Sequence, residues 1–456
     1  MKILLKNGTI VNADGTQRAD VLICNDKIKV IGPNLESRDA ELVDCSGKLL
    51  FPGFIDAHTH FDLDVCNTTT ADDFYTGGKA AIRGGTTLVI DFACPNKGES
   101  LQYGLDLWHK KADGKTACDY SFHMTIDDWN DTIKAQIPDM VAQGVTSFKM
   151  YLTYPAMMIG DGQMLMALQE LKKYGCIAGV HCENAGMIDA LIQEQKDAGH
   201  TGPEAHPQSR PDMMEAEAVG RLLKMAYVAD VPVVVVHTTC QAALKEIEAA
   251  RARGQTVYVE TCPQYLVLDD SRYLEPDFAG AKYVCAPPLR KRADQDALWQ
   301  AIADGAVQTV STDHCSFTLK QKAAGRGDFT KIPGGLPGVE TRGVLLYTYG
   351  VRTGRISLEK MAEVLCANPA KLYGVWPRKG VISEGSDADI VVYDPAGEDV
   401  ITSADQIANV DYSPYEGFAV KGRITRVYLR GHLAVLDGDI LADQGGTFIP
   451  RGLPNL

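Results

Sequence analysis

Six residues in this chain have the chemistry to hold metal ions and move protons, and each lies in or at the end of a short apolar run. His58 and His60 end "FIDAHTH", His181 ends "CIAGVH", His237 ends "VPVVVVH" and Asp313 ends "VQTVSTD". Two positions apart on an extended strand, His58 and His60 point to one face. Taken singly, a histidine at a strand end is an ordinary hydrogen-bonded residue and an aspartate there an ordinary helix cap. Together, imidazole nitrogens and a carboxylate are the donors that zinc and similar divalent ions take. Four histidines and one aspartate exceed what a single tetrahedral ion with an open position uses. Two ions are implied, and with them a bridging ligand. Lys149, inside "VTSFKMYLTY" (Val145–Tyr154), is the sixth residue. A buried ammonium is costly unless paired or chemically changed, and it would repel a metal. Carboxylated by CO2, the same nitrogen becomes a carbamate (N6-carboxylysine), an anion with one oxygen for each ion.

Residues scattered from position 58 to 313 need a scaffold that gathers strand ends. Eight β-branched runs supply one: "FIDAHTH", "TTLVIDF", "YSFHMTI", "TSFKMYL", "CIAGVHC", "VPVVVVHTT", "TVYVETC" and "VQTVSTD". Stretches of helical period separate most of them, among them Asp212–Ala229 and Gln241–Arg253. Apolar strands alternating with helices predict a parallel sheet buried on both faces, and eight repeats predict a (β/α)8 TIM barrel over residues 51–376. An open doubly wound sheet is the alternative, but no G-x-G-x-x-G follows the first strand, and "GGLPG" at Gly334–Gly338 reads as a turn. Residues 1–50 and 377–456 have a different texture, short alternating runs broken by Asn-Gly, Asp-Gly and Ser-Gly. They predict a small β-sandwich domain assembled from both termini.

The bulk composition excludes several function classes. Of 456 residues, 45% are hydrophobic and 23% charged, and the net charge of −14 argues against a nucleic-acid partner. No run approaches the roughly 20 apolar residues of a membrane span, and the N-terminus lacks a signal-peptide pattern, so the cytoplasm is the expected compartment. The twelve cysteines form no C-x-x-C and read as reduced thiols, which leaves the sequons at Asn67 and Asn130 without meaning. A Cys–His–Asp nucleophile in "TDHCS" fails on geometry, since neighbours on a strand face opposite ways.

The ordered motifs "GFIDAHTHFD", "FKMYLTY", "VHCEN", "VHTT", "ETCPQYL", "APPLR", "STDHCSF" and "GLPGVE" run from Gly53 to Glu340. In them the chain resembles the hydantoinase/dihydropyrimidinase family of the amidohydrolase superfamily, and "HTHFDLDV" is most similar to bacterial D-phenylhydantoinase-type members. The resemblance implies a binuclear centre held by His58, His60, Lys149, His181, His237 and Asp313, with Lys149 as the carboxylated bridge. The ions implied are two divalent metals, zinc by expectation, with manganese or cobalt also suited to such donors. Asp313 is then the proton carrier and Tyr154 the donor to the substrate carbonyl. Backbone groups at Ala286 and Gly334, where relatives often have Ser and Asn, hold the ring. Implied too are a small cyclic ureide as substrate and a homotetramer. The expected activity is hydrolysis of 5-substituted hydantoins, D-selective, to N-carbamoyl amino acids. The alternatives are a dihydropyrimidinase opening dihydrouracil or dihydrothymine, and a non-catalytic scaffold relative. Dihydroorotase-like relatives carry an arginine soon after H-x-H; here Phe61 and Asp62 follow, against an anionic ring. Tyr151, Met157 and Met158 suit an apolar 5-substituent or plain packing.

Overall fold

The computed structural model describes residues 1–456. Five strands open the chain: β1 (Lys2–Asn12), β2 (Gly15–Cys24), β3 (Lys27–Gly32), β4 (Glu41–Asp44) and β5 (Leu49–Pro52). Past Gly53 the backbone enters β6 (Phe54–Thr59), followed by a small hairpin, β7 (Asp64–Val65) and β8 (Thr68–Thr69). Seven further strands alternate with helices: β9 (Thr86–Ala93), β10 (Asp119–Thr125), β11 (Ser147–Tyr151), β12 (Ile177–His181), β13 (Val233–Val235), β14 (Val257–Thr261) and β15 (Thr309–Val310). Each of the eight apolar runs is a strand. They pair in parallel in the order β15-β14-β13-β12-β11-β10-β9-β6, and a parallel bridge between Thr59 and His314 joins the two ends of the series into a barrel.

Side-chain alternation explains why both faces of this sheet are dry. Val233 and Val235 pack in the large core with the surrounding helices, as do Ala178, Val180 and Val89. Their neighbours Val234, Val236, Ile177, Leu88 and Ile90 join Ile55, Ala57, Leu372 and Tyr373 in a second cluster. Two separate apolar clusters on alternate residues are what a parallel sheet covered on both sides requires. The helix Asp212–Ala229 has the expected bounds, and Gln241–Ala252 stops one residue early with Arg253 as its cap. Asn130 is the N-cap of the helix Asp131–Ala142, its side chain accepting from the amides of Thr132 and Ile133.

The C-terminal strands β16 (Ile390–Val400), β17 (Ala419–Leu429), β18 (His432–Leu436) and β19 (Asp439–Ile440) join the N-terminal ones. β16 pairs antiparallel with β5, so hydrogen bonds thread both termini into one nine-stranded mixed sheet that branches at β1. Ile3, Leu5, Val21, Ile23, Ile390, Val392 and Tyr428 share a core of their own. The sheet is tied to the barrel by charge. Lys379 Nζ lies 2.7 Å from Asp119 Oδ2 at the start of β10 and 3.3 Å from Asp387, and it also bonds Asp389. All twelve cysteines are free, and no helix is long and apolar enough to cross a membrane.

Candidate active site

The ends of the barrel strands bring the predicted residues together. His58 Nε2 lies 3.3 Å and His60 Nε2 3.1 Å from Asp313 Oδ1, a group compact enough to hold a metal ion. His237 packs against both halves of the site, its ring 5.4 Å from that of His58 and 4.6 Å from that of His181. Tyr154 closes the far side, its ring 5.1 Å from His181. Lys149 is buried in the middle of β11 (Ser147–Tyr151). Its ammonium meets the faces of Phe92 at 5.0 Å and Tyr151 at 5.3 Å, a cation resting on aromatic rings.

The backbone differs from plain strand ends. β13 stops at Val235 and β15 at Val310, so His237 and Asp313 lie two and three residues beyond their strands. His237 (φ 37°), Asp313 (φ 53°) and Tyr154 (φ 67°) all adopt left-handed backbone, which is uncommon outside glycine and concentrates at functional sites. A register shift between Asp56 and Thr59 accompanies the turn of His58 and His60 toward the same carboxylate.

Buried His58 Nε2 and His60 Nδ1 have no hydrogen-bond partner, an arrangement suited to a ligand that is not part of the chain. Burial, the largest cause for each, holds His58, His181 and His237 below the ordinary imidazole range, which favours the neutral form that binds metal. Burial pushes the Asp313 carboxyl up, but His58, His60 and Lys149 outweigh it and hold it at about 2. Burial lowers Lys149 itself, against the pull of Asp313 and Glu260. It raises the Tyr154 phenol, which therefore stays protonated and able to donate.

A model of the amidohydrolase family matches residues 49–434. A D-hydantoinase of Geobacillus stearothermophilus is 43% identical over 455 residues, covering 99% of this chain and 97% of that one. A D-phenylhydantoinase of Escherichia coli O1:K1 / APEC is 43% identical over 457 residues, covering 99% and 98%. The crystal structure of dihydropyrimidinase from Brevibacillus agri NCHU1002 superposes with a TM-score of 0.99 at 43% identity, over 100% of both chains. The chain belongs to the amidohydrolase family.

Several carboxylates that orient this amidohydrolase site went unassigned in the sequence. Glu260, wholly buried on β14, takes His58 Nδ1 at 2.6 Å and so turns Nε2 toward Asp313. Glu183 takes His181 Nε2 at 2.8 Å. Asp91 accepts from Thr59 Oγ1 at 2.7 Å and from the Phe61 amide at 2.9 Å, fixing the backbone around His60. The available signal was a lone acid inside an apolar run ("YVETC", "LVIDF") or two places after a histidine ("HCE").

Ala286 and Gly334 also meet. A Cβ on Gly334 would stand 3.8 Å from the Ala286 amide nitrogen. Buried Lys322 ties the two segments together, donating to the carbonyls of Val284 (2.7 Å), Pro333 (2.7 Å) and Gly335 (2.8 Å). "GGLPG" is therefore more than a turn: Leu336 bridges His314, and the Gly338 and Val339 amides donate to His314 Nδ1. His314 Nε2 faces Asp72 at 3.0 Å, so neither it nor Cys315 forms a relay with Asp313.

Proposed function

We propose that this amidohydrolase is a metal-dependent hydantoinase, hydrolysing D-5-substituted hydantoins to N-carbamoyl amino acids. The observation that carries the reading is the convergence of His58 and His60 on Asp313, with His181, His237 and Tyr154 packed ring against ring beside them and Lys149 buried on β11. His58, His60, Lys149, His181, His237 and Asp313 would hold two divalent ions, zinc for preference, with Lys149 as an N6-carboxylysine bridge. When bound, the ions supply Lewis acidity that polarises the carbonyl and acidifies water near neutral pH.

The chain's own groups do the rest. Asp313, ionised at neutral pH, takes a proton from the attacking water and returns it to the ring nitrogen as the C–N bond breaks. Tyr154 donates to the oxygen on which negative charge develops. Backbone groups at Ala286 and Gly334 hold the ureide, and Tyr151, Met157 and Met158 receive the 5-substituent. Lys97 straps that segment, donating to the carbonyls of Pro155 (2.7 Å) and Met158 (3.1 Å). A homotetramer in the cytoplasm completes the reading.

A second reading, dihydropyrimidinase, is favoured by the full-length match to the Brevibacillus agri enzyme. Turnover of D- and L-5-substituted hydantoins, dihydrouracil, allantoin and dihydroorotate by the metal-loaded protein decides between them. Fastest opening of a D-hydantoin is expected. A preference for dihydrouracil moves the assignment to the second reading, and a preference for dihydroorotate sinks both.

A further inference from the structure

Arg210 has no part in the scheme above, yet it reaches two residues of the site. It lies in the turn between the helices Ala205–Gln208 and Asp212–Ala229. Its Nη1 stands 2.5 Å from Glu183 Oε2, the same oxygen that His181 Nε2 faces at 2.8 Å. Its guanidinium carbon also lies over the Tyr154 ring, 5.9 Å from the centroid. The side chain is only 11% exposed and Glu183 is fully buried, so the pair is shielded from competing water.

The turn that carries Arg210 is itself fixed. Arg290 donates to the Arg210 carbonyl and holds Glu215 at 2.8 Å, while Glu215 accepts from the Thr239 amide, two residues past His237. His206 Nε2 bonds the Cys285 carbonyl at 2.8 Å beside Ala286. Arg210 thus projects from a braced turn onto a tyrosine whose own backbone is left-handed (φ 67°) and therefore depends on its surroundings for its place.

We propose that Arg210 is a positioning residue for Tyr154. Glu183 anchors the guanidinium through Nη1, and the rest of the group, lying over the ring, keeps the phenol from swinging away from His181. This rests on the reading of Tyr154 as the donor to the developing oxyanion. Lysine suits the anchor and not the brace, because a point charge on a flexible stem can pair with Glu183 but has no broad planar group to reach the ring at the same time. Arg210→Lys is therefore the variant of choice; Arg210→Gln leaves Glu183 buried without a cation and risks the fold.

In the metal-loaded protein, Arg210→Lys is expected to keep its metals and its melting temperature. Its kcat on the best hydantoin should fall about tenfold with KM nearly unchanged, the scale of losing a group that orients a reacting residue. On a Tyr154→Phe background the same substitution should cost nothing further, since its effect passes through the lost hydroxyl. Wild-type kinetics in Arg210→Lys, or an equal loss on both backgrounds, overturns the proposal. A second readout needs no substrate. In protein labelled with 3-fluorotyrosine, the Tyr154 signal, assigned by its absence in Tyr154→Phe, should shift and broaden in Arg210→Lys. An unchanged signal overturns the bracing. A wild type that opens no cyclic amide defeats the hydantoinase reading instead, and the fluorine spectra still judge the contact on its own.

Discussion

Lys149 shows how much one side chain can reveal when its surroundings are known. From the sequence it was a lysine inside an apolar run, and the structure buries it with the faces of Phe92 and Tyr151 around its nitrogen. A carbamate there gives a concrete expectation. Lys149→Ala should lose activity and most of the second metal, and Lys149→Arg should fare no better, because guanidinium keeps its charge and cannot be carboxylated. Wild type stripped of metal should regain two ions per chain in bicarbonate buffer and fewer in CO2-free buffer, because the ligand must be remade first. Equal metal counts in both buffers defeat the carbamate. The histidines and Asp313 stood out because ligand types recur at the ends of four of the eight apolar runs. Glu183, Glu260 and Arg210 did not, since a buried acid or arginine looks in sequence like any surface charge until the fold supplies its partner.

At the scale of elements, the runs and their order were readable and the kinks after them were not. "VPVVVVH" announces a strand, but nothing in it says that pairing stops at Val235 and that His237 turns left-handed. Such conformations are uncommon outside glycine, so a histidine or tyrosine there is set by tertiary contacts that the run itself does not reveal. The Lys322 tripod is another product of the fold. It joins the segment before Ala286 to the segment around Gly334 through three carbonyls, with burial drawing its ammonium down to about 8. If those backbones hold the ureide, Lys322→Met should raise KM for hydantoins about tenfold while metal content and kcat change little, the signature of lost ground-state binding. Unchanged KM in a folded variant separates the tripod from substrate binding.

Across the whole molecule, one lysine ties the terminal sheet to the barrel. Lys379 is 2% exposed and faces Asp119 of β10, Asp389 and Asp387, and Arg430 reaches Asp119 from the end of β17. Removing the cation leaves buried carboxylates without their partner, a change that typically costs about 3–5 kcal/mol. Lys379→Met should therefore melt well below the wild type at neutral pH. The pH dependence follows from Asp387. Burial raises its carboxyl, but Lys379, Lys27 and Arg378 outweigh burial and hold it below the ordinary range. A carboxyl depressed in the folded state lends stability that is fully present above its unfolded value of about 4 and is lost as pH falls through the folded one. The wild type should thus lose stability on acidification below about pH 4. In Lys379→Met the Asp387 carboxyl loses the first of the cations that hold it as an anion, so the variant has less to lose. Melting temperatures of the two proteins, far apart at pH 7, should converge as the pH drops toward 3. A gap that stays constant over that range, or a variant as stable as the wild type at neutral pH, would show that the sheet and barrel are held together by apolar packing rather than by this charge cluster.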